Sequence, residues 1–132
     1  MTEIDKIAFI HIKDGKILST KSKGKTKYYI PGGKRENNET DAQTLIREVL
    51  EELSVNIIPE TVEYIGTFSA QSDGAKQCVN VKMTCYKAEY SGELKADNEI
   101  EVIKWLTYND LEIISEVDKK IFTFLHNKGS LK

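Results

Sequence analysis

The stretch Gly33–Val55, GKRENNETDAQTLIREVLEELSV, is where the reading of this chain begins. Thr40 and Gln43, three residues apart, form a capping-box pattern, and Asp41 adds negative charge to the first turn. A helix is therefore expected over 41–53. Wound at about 100° per residue, it places Ala42, Leu45, Ile46, Val49, Leu50 and Leu53 on one arc and Glu48, Glu51 and Glu52 on its neighbour. One face docks on a sheet while the other presents three carboxylates together. The ordinary fate of such glutamates is a solvated face. Here Glu48 and Glu52 are like-charged at four residues' spacing and lie toward the C-terminal half, and both features disfavour negative charge. A hard divalent cation, Mg²⁺ or Mn²⁺, relieves both. Mg²⁺ binds through carboxylates while keeping several waters and accepting substrate phosphate oxygens.

The residues before the helix complete the pattern. Gly32 and Gly33 let the backbone approach a ligand closely, and the Gly33 carbonyl is a candidate metal ligand. Lys34 and Arg35 are candidate phosphate contacts. Glu39 is placed to pair with Arg47 and brace the loop against the helix. Further upstream, Lys21, Lys23, Lys25 and Lys27 form a basic loop beside Tyr28 and Tyr29, the candidates for stacking on a nucleobase.

The rest of the chain alternates strand and turn signals. Residues 7–12 (IAFIHI) read as a buried strand, Asp14-Gly15 as a hairpin turn, and 16–20 as the returning strand. A short strand at 28–30 is stopped by Pro31-Gly32-Gly33. Strands follow at 62–70, 78–90 (with Val79, Val81, Met83 and Cys85 on one face) and 101–106. Residues 71–74 form a turn between the first two of these. Thr107 opens a helical stretch, and 115–125 forms a last amphipathic helix through Val117, Ile121, Phe124 and Leu125. The order β-β-β-α-β-β-β-α points to an α/β (α+β) class around a mixed sheet.

At 132 residues the chain is expected to be one domain, 1–132, with enough length to bury a core unaided by disulfides. Its formal net charge of −2 creates no global attraction to nucleic acid or membrane. It shows neither a long apolar span nor a leader peptide, so a cytoplasmic location is expected. Cys78 and Cys85 match no zinc or redox spacing and read as buried thiols in a reducing compartment. The two histidines, His11 and His126, sit where ordinary structural roles suffice. Trp105, Phe68 and Tyr86 read as core. The long 78–90 strand and its neighbours offer an edge for a homodimer.

The spacing Gly33, five residues, Glu39, seven residues, Arg47-Glu48-Val49, one residue, Glu51-Glu52, one residue, Ser54-Val55 resembles the Nudix box. Six such fixed positions coincide by chance in roughly one chain in 10⁵ of this length. Tyr29–Gly33 before the box and Glu99–Trp105 after it also resemble Nudix surroundings. The resemblance implies an α/β/α sandwich with a central mixed sheet. It also implies hydrolysis of a nucleoside diphosphate linked to another group, with Mg²⁺ or Mn²⁺ as cofactor and a small nucleotide as partner. By the same resemblance Glu48 and Glu52 are principal metal ligands and Glu51 a further one, and one glutamate of the group activates water. Arg47 orients the glutamates, Glu39 orients Arg47, and Glu99 matches an additional acidic position. The departure is Ser54, where the family carries a helix-ending glycine; a left-handed serine costs about 1–2 kcal/mol. No proline follows the box in the region Phe68–Asp73, which speaks against ADP-ribose or NADH and favours a nucleoside triphosphate, normal or oxidised. A non-catalytic nucleotide sensor is a weaker alternative because every carboxylate is retained. A nucleic-acid-binding module would rest on the basic loop alone.

Overall fold

The structure, a computed structural model, describes residues 2–72 and 79–132. Cys78 and part of the turn expected at 71–74 lie outside the described residues. The strands are β1 (Thr2–Phe9), β2 (Ile12–Lys13), β3 (Lys16–Ser22), β4 (Gly32–Gly33), β5 (Asn56–Ile57), β6 (Glu63–Gln71), β7 (Val79–Lys87), β8 (Tyr90–Ser91) and β9 (Ile100–Leu106). The helices are α1 (Asp41–Leu53) and α2 (Glu116–Asn127).

A four-stranded sheet runs β4-β1-β7-β6, with β1 and β7 parallel and the other pairs antiparallel. A second sheet runs β2-β3-β9, and β5 pairs with β8. The Asp14-Gly15 turn joins β2 to β3 with φ of 55° and 77°, the left-handed pair that closes a two-residue hairpin. Strand β1 begins five residues earlier than the sequence suggests, because it pairs along its whole length with β7. The short strand expected at 28–30 moves to Gly32–Gly33. Tyr28 and Tyr29 make only isolated bridges, to Ile114 and Thr20.

The side-chain alternation of β1 divides the core in two. Ile7 and Phe9 face α1, packing with Leu45, Val49 and Leu53. Ala8 and Ile10 face α2, packing with Ile121, Phe122 and Leu125. The two helices thus cover opposite faces of a mixed sheet, as the resemblance implied. Strand β7 is interior, with β1 on one side and β6 on the other, so it offers no edge to a second copy. Among the described residues, no helix is long and apolar enough to cross a membrane.

Candidate active site

Helix α1 begins and ends where its sequence says. Thr40 Oγ1 accepts from the Gln43 backbone N–H at 3.1 Å, and Gln43 Oε1 accepts from the Thr40 N–H at 2.9 Å, closing the capping box. The buried face, however, is rotated from the predicted arc. Thr44 is buried and Leu50 is 46% exposed. Leu45, Val49 and Leu53 remain the centre of the stripe, but its flank is the row Thr44–Glu48–Glu52, not Ile46–Leu50. Thr44 tolerates burial because its hydroxyl donates to Glu39 at 3.0 Å or the Thr40 carbonyl at 3.1 Å. The rotation half-buries Glu48 and Glu52 and leaves Glu51 exposed.

Both half-buried carboxylates meet the glycine pair of β4. Gly32 N–H donates to Glu52 Oε1 at 3.3 Å. Gly32 has φ of 144°, and a side chain there would strike the Ile7 carbonyl; one at Gly33 would strike the Glu48 carboxyl. Glycine is required at both positions for the carboxylates to lie against bare backbone. The glycines are held by β1 through the register Ile7↔Gly33 and Ala8↔Gly32.

Behind this pair stands a charged brace. Arg47 donates from Nε to Glu39 Oε2 at 2.7 Å, from Nη2 to Glu39 Oε1 at 2.9 Å, and from Nη1 to Glu48 at 2.6 Å. Its Nη2 also reaches the Lys34 carbonyl at 2.9 Å. Arg47 Nη1 lies 3.6 Å from Glu51. Hydrogen bonds from Arg47, then from the Glu36 backbone, hold Glu39 down at about 2, so it is ionised throughout the neutral range. Burial pushes Glu52 up to about 8 despite the Gly32 hydrogen bond, with the charges of Glu48 and Glu99 adding to the rise. Burial also raises Glu48, against the pull of Arg47.

Glu48, Glu52, Glu99, Gly33, Lys34 and Tyr29 line one cavity of about 420 Å³. Strand β7 and the start of α2 supply its apolar wall through Val81, Met83 and Val117. Five predicted residues do not line it: Arg47 and Glu39 form the brace behind it, and Arg35, Tyr28 and Glu51 are engaged elsewhere. Arg35 is engaged by Asp5 at 3.0 Å and Asp41 at 2.6 Å. Tyr28 packs against the α2-side core beneath Lys104. Glu51 points away from the cavity lining, toward Arg47 and solvent. Sequence reasoning missed Lys6, which lines the cavity from β1, because the pairing with β7 that extends the strand back past Ile7 leaves no local signal. The histidines have structural neighbours. His11 stacks on Phe9, meets Tyr90 edge-on and lies tilted against Trp105, and His126 stacks on Tyr108. Cys85 is buried, its thiol pushed up to about 12 by that burial.

Among the described residues, no three His, Cys, Asp or Glu side chains form an enclosing metal cluster. The site suits a cation that needs less. Two interacting carboxylates, raised in pKa by burial, stand against a bare backbone with a third carboxylate on the same cavity. That donor set matches a hard ion that keeps waters and shares its shell with phosphate.

The ends of the helix and the cavity rim are tied together. The Glu51, Glu52 and Leu53 carbonyls accept from Asn98 Nδ2 at 2.8 Å, Asp97 N at 3.1 Å and Lys95 N at 2.9 Å. Ser54 adopts the left-handed conformation expected of the family glycine, φ 60° and ψ 26°, and its hydroxyl donates to Asp97 at 3.1 Å.

The family described as the NUDIX domain matches residues 5–126. Several solved structures share the fold. The E. coli ORF135 protein is 26% identical with a TM-score of 0.70, over 96% of this chain and 92% of that one. The MutT protein of Methanosarcina mazei is 16% identical with a TM-score of 0.76, over 97% and 96%. The MutT protein of Bacillus halodurans is 24% identical with a TM-score of 0.70, over 90% and 79%. No curated protein matches the sequence.

Proposed function

The chain belongs to the Nudix family and is a pyrophosphohydrolase of that family; on this premise we propose that it splits a nucleoside triphosphate, normal or oxidised, into nucleoside monophosphate and pyrophosphate. The observation that carries the reading is the pairing of Glu48 and Glu52 against Gly32 and Gly33, at the rim of a cavity with an apolar wall. The apolar wall suits a nucleobase and the carboxylate rim suits a metal-neutralised diphosphate.

Glu48, Glu52 and Glu99 would hold Mg²⁺ or Mn²⁺, with the Gly33 carbonyl as a further oxygen donor. When bound, the metal supplies charge neutralisation on the diphosphate and a lowered pKa for the attacking water. The remaining work is done by the chain. Glu52 takes one backbone N–H on Oε1, and among the described residues no protein donor meets Oε2. Oε2 is therefore free to accept a proton or ligate, and burial has raised its basicity. Arg47 fixes the Glu48 carboxylate and is itself fixed by Glu39. Lys34, on the cavity lining, meets phosphate charge, and Tyr29 lies where a base can stack. Arg35 serves to brace the loop through Asp5 and Asp41, not to bind substrate.

The test is a panel of normal and oxidised nucleoside triphosphates, with ADP-ribose and NADH as controls, assayed for pyrophosphate and phosphate release with and without Mg²⁺. Metal-dependent release of pyrophosphate from a triphosphate, abolished in Glu52→Gln, is expected. A folded protein that binds Mg²⁺ and nucleotide but hydrolyses nothing would sink the enzyme reading.

A further inference from the structure

Three cations near the candidate site are already committed. Arg47 is held by Glu39 and Glu48, Arg35 by Asp5 and Asp41, and Lys21 by Glu101. Lys6 is different. It is half-buried on the central strand β1, and it lines the cavity. Among the described residues its ammonium meets no carboxylate or carbonyl at bonding distance, and Glu52 is a charge it senses across the cavity. A half-buried lysine with no partner among these residues leaves its ammonium available to a ligand in the cavity it lines.

The register of the sheet fixes where Lys6 stands. On β1, Ile4 lies opposite Val81 and Lys6 opposite Met83, while the next residue, Ile7, lies opposite Gly33. Ile4, Val81 and Met83 belong to the apolar wall, and Gly33 belongs to the carboxylate rim. Lys6 is thus the cation at the seam between the two regions. Lys25 and Lys34 also line the cavity, but both are exposed and lie outside the central sheet. Lys6 is carried on a strand paired on both sides, so its backbone is the best fixed of the three.

We propose that Lys6 is a substrate-binding residue that holds a non-bridging oxygen of the phosphate nearest the nucleoside, where the apolar wall meets the carboxylate rim. This rests on the hydrolase reading above and deepens it. A cation at the seam selects ligands that carry an anion next to the base-bearing end. It also registers the diphosphate bridge against the carboxylates. The lysine stem lies along apolar surface while its head meets the anion.

The test measures binding of a non-hydrolysable nucleoside triphosphate, with a methylene between its α- and β-phosphorus atoms, to the wild type, Lys6→Met and Lys6→Arg in Mg²⁺. Methionine keeps the stem and removes the charge. Loss of one charged hydrogen bond is expected to weaken binding about tenfold or more. Lys6→Arg should stay within about fivefold of wild type, because it restores the charge. All three proteins should melt within a few degrees of one another, since among the described residues Lys6 makes no ion pair to lose. Unchanged binding by Lys6→Met overturns the inference and leaves the hydrolase reading intact. Equal weakness of Lys6→Arg and Lys6→Met also overturns it, because charge would then not be what matters. Failure of the wild type to bind the analogue overturns the inference alone, and failure to hydrolyse any nucleotide overturns the hydrolase reading with it.

Discussion

Glu52 concentrates the conflict between stability and chemistry in one side chain. Its folded pKa, about 8, stands above the unfolded value of 4.5. Between those values the native state binds a proton that the unfolded state releases, so stability falls as pH rises through the window. In metal-free protein near pH 9, Glu52→Gln should therefore be more stable than wild type by roughly 1–4 kcal/mol in urea unfolding. The difference should vanish near pH 4, and hydrolysis should fall at least a hundredfold. A variant no more stable than wild type at high pH would show that Glu52 ionises freely. Arg47 carries a different kind of demand. Its planar fork serves Glu39, Glu48 and the Lys34 carbonyl at once, which an ammonium cannot do. Arg47→Lys should lower kcat about tenfold or more with a smaller change in KM, read from steady-state kinetics with saturating Mg²⁺. Both residues were legible from the spacing of the box. Lys6 was not, because the apolar run that announced a strand began at Ile7, and nothing local shows that the strand extends back to Thr2.

Helix α1 was read correctly to the residue at both ends, since the capping box and the end of the apolar periodicity are local signals. Which of its flanks would be buried was not legible. A wheel gives the apolar arc, but the sheet sets the tilt, and the sheet buries Thr44, Glu48 and Glu52 in preference to Leu50. The helix exit shows the same limit. The expected left-handed turn is present at Ser54, while its docking by Lys95, Asp97 and Asn98 depends on a segment some forty residues away in sequence. Ser54→Gly relieves backbone strain of about 1 kcal/mol. It gives back about 0.5–1 kcal/mol in unfolded-chain freedom and loses the Asp97 hydrogen bond, so its urea midpoint should stay close to wild type. Ser54→Val, β-branched in the left-handed region, should lose about 1–2 kcal/mol. A valine variant as stable as wild type would mean that the exit relaxes away from its left-handed turn.

For the whole molecule, the sheet separates two cores whose buried members do not overlap. Ile7 belongs to the α1 side and Ile121 to the α2 side. Ile7→Val and Ile121→Val should each cost about 0.5–1.5 kcal/mol, and the double variant should show their sum within about 0.5 kcal/mol. A larger discrepancy in denaturant unfolding would show that the sheet transmits packing strain from one face to the other. The layered class was legible from the alternation of apolar patterns. The strand order was not, because the β1–β7 pairing joins distant segments and leaves no local mark. That pairing has a consequence for how the protein is made. On the ribosome, β4 and α1 can dock on β1 soon after they emerge, but the other edge of β1 has no partner until residues 79–87 leave the exit tunnel. For much of translation the nascent chain exposes an open strand edge. Substitutions that slow the arrival or pairing of β7 should therefore reduce soluble yield in the cell before they alter the activity of the molecules that finish folding.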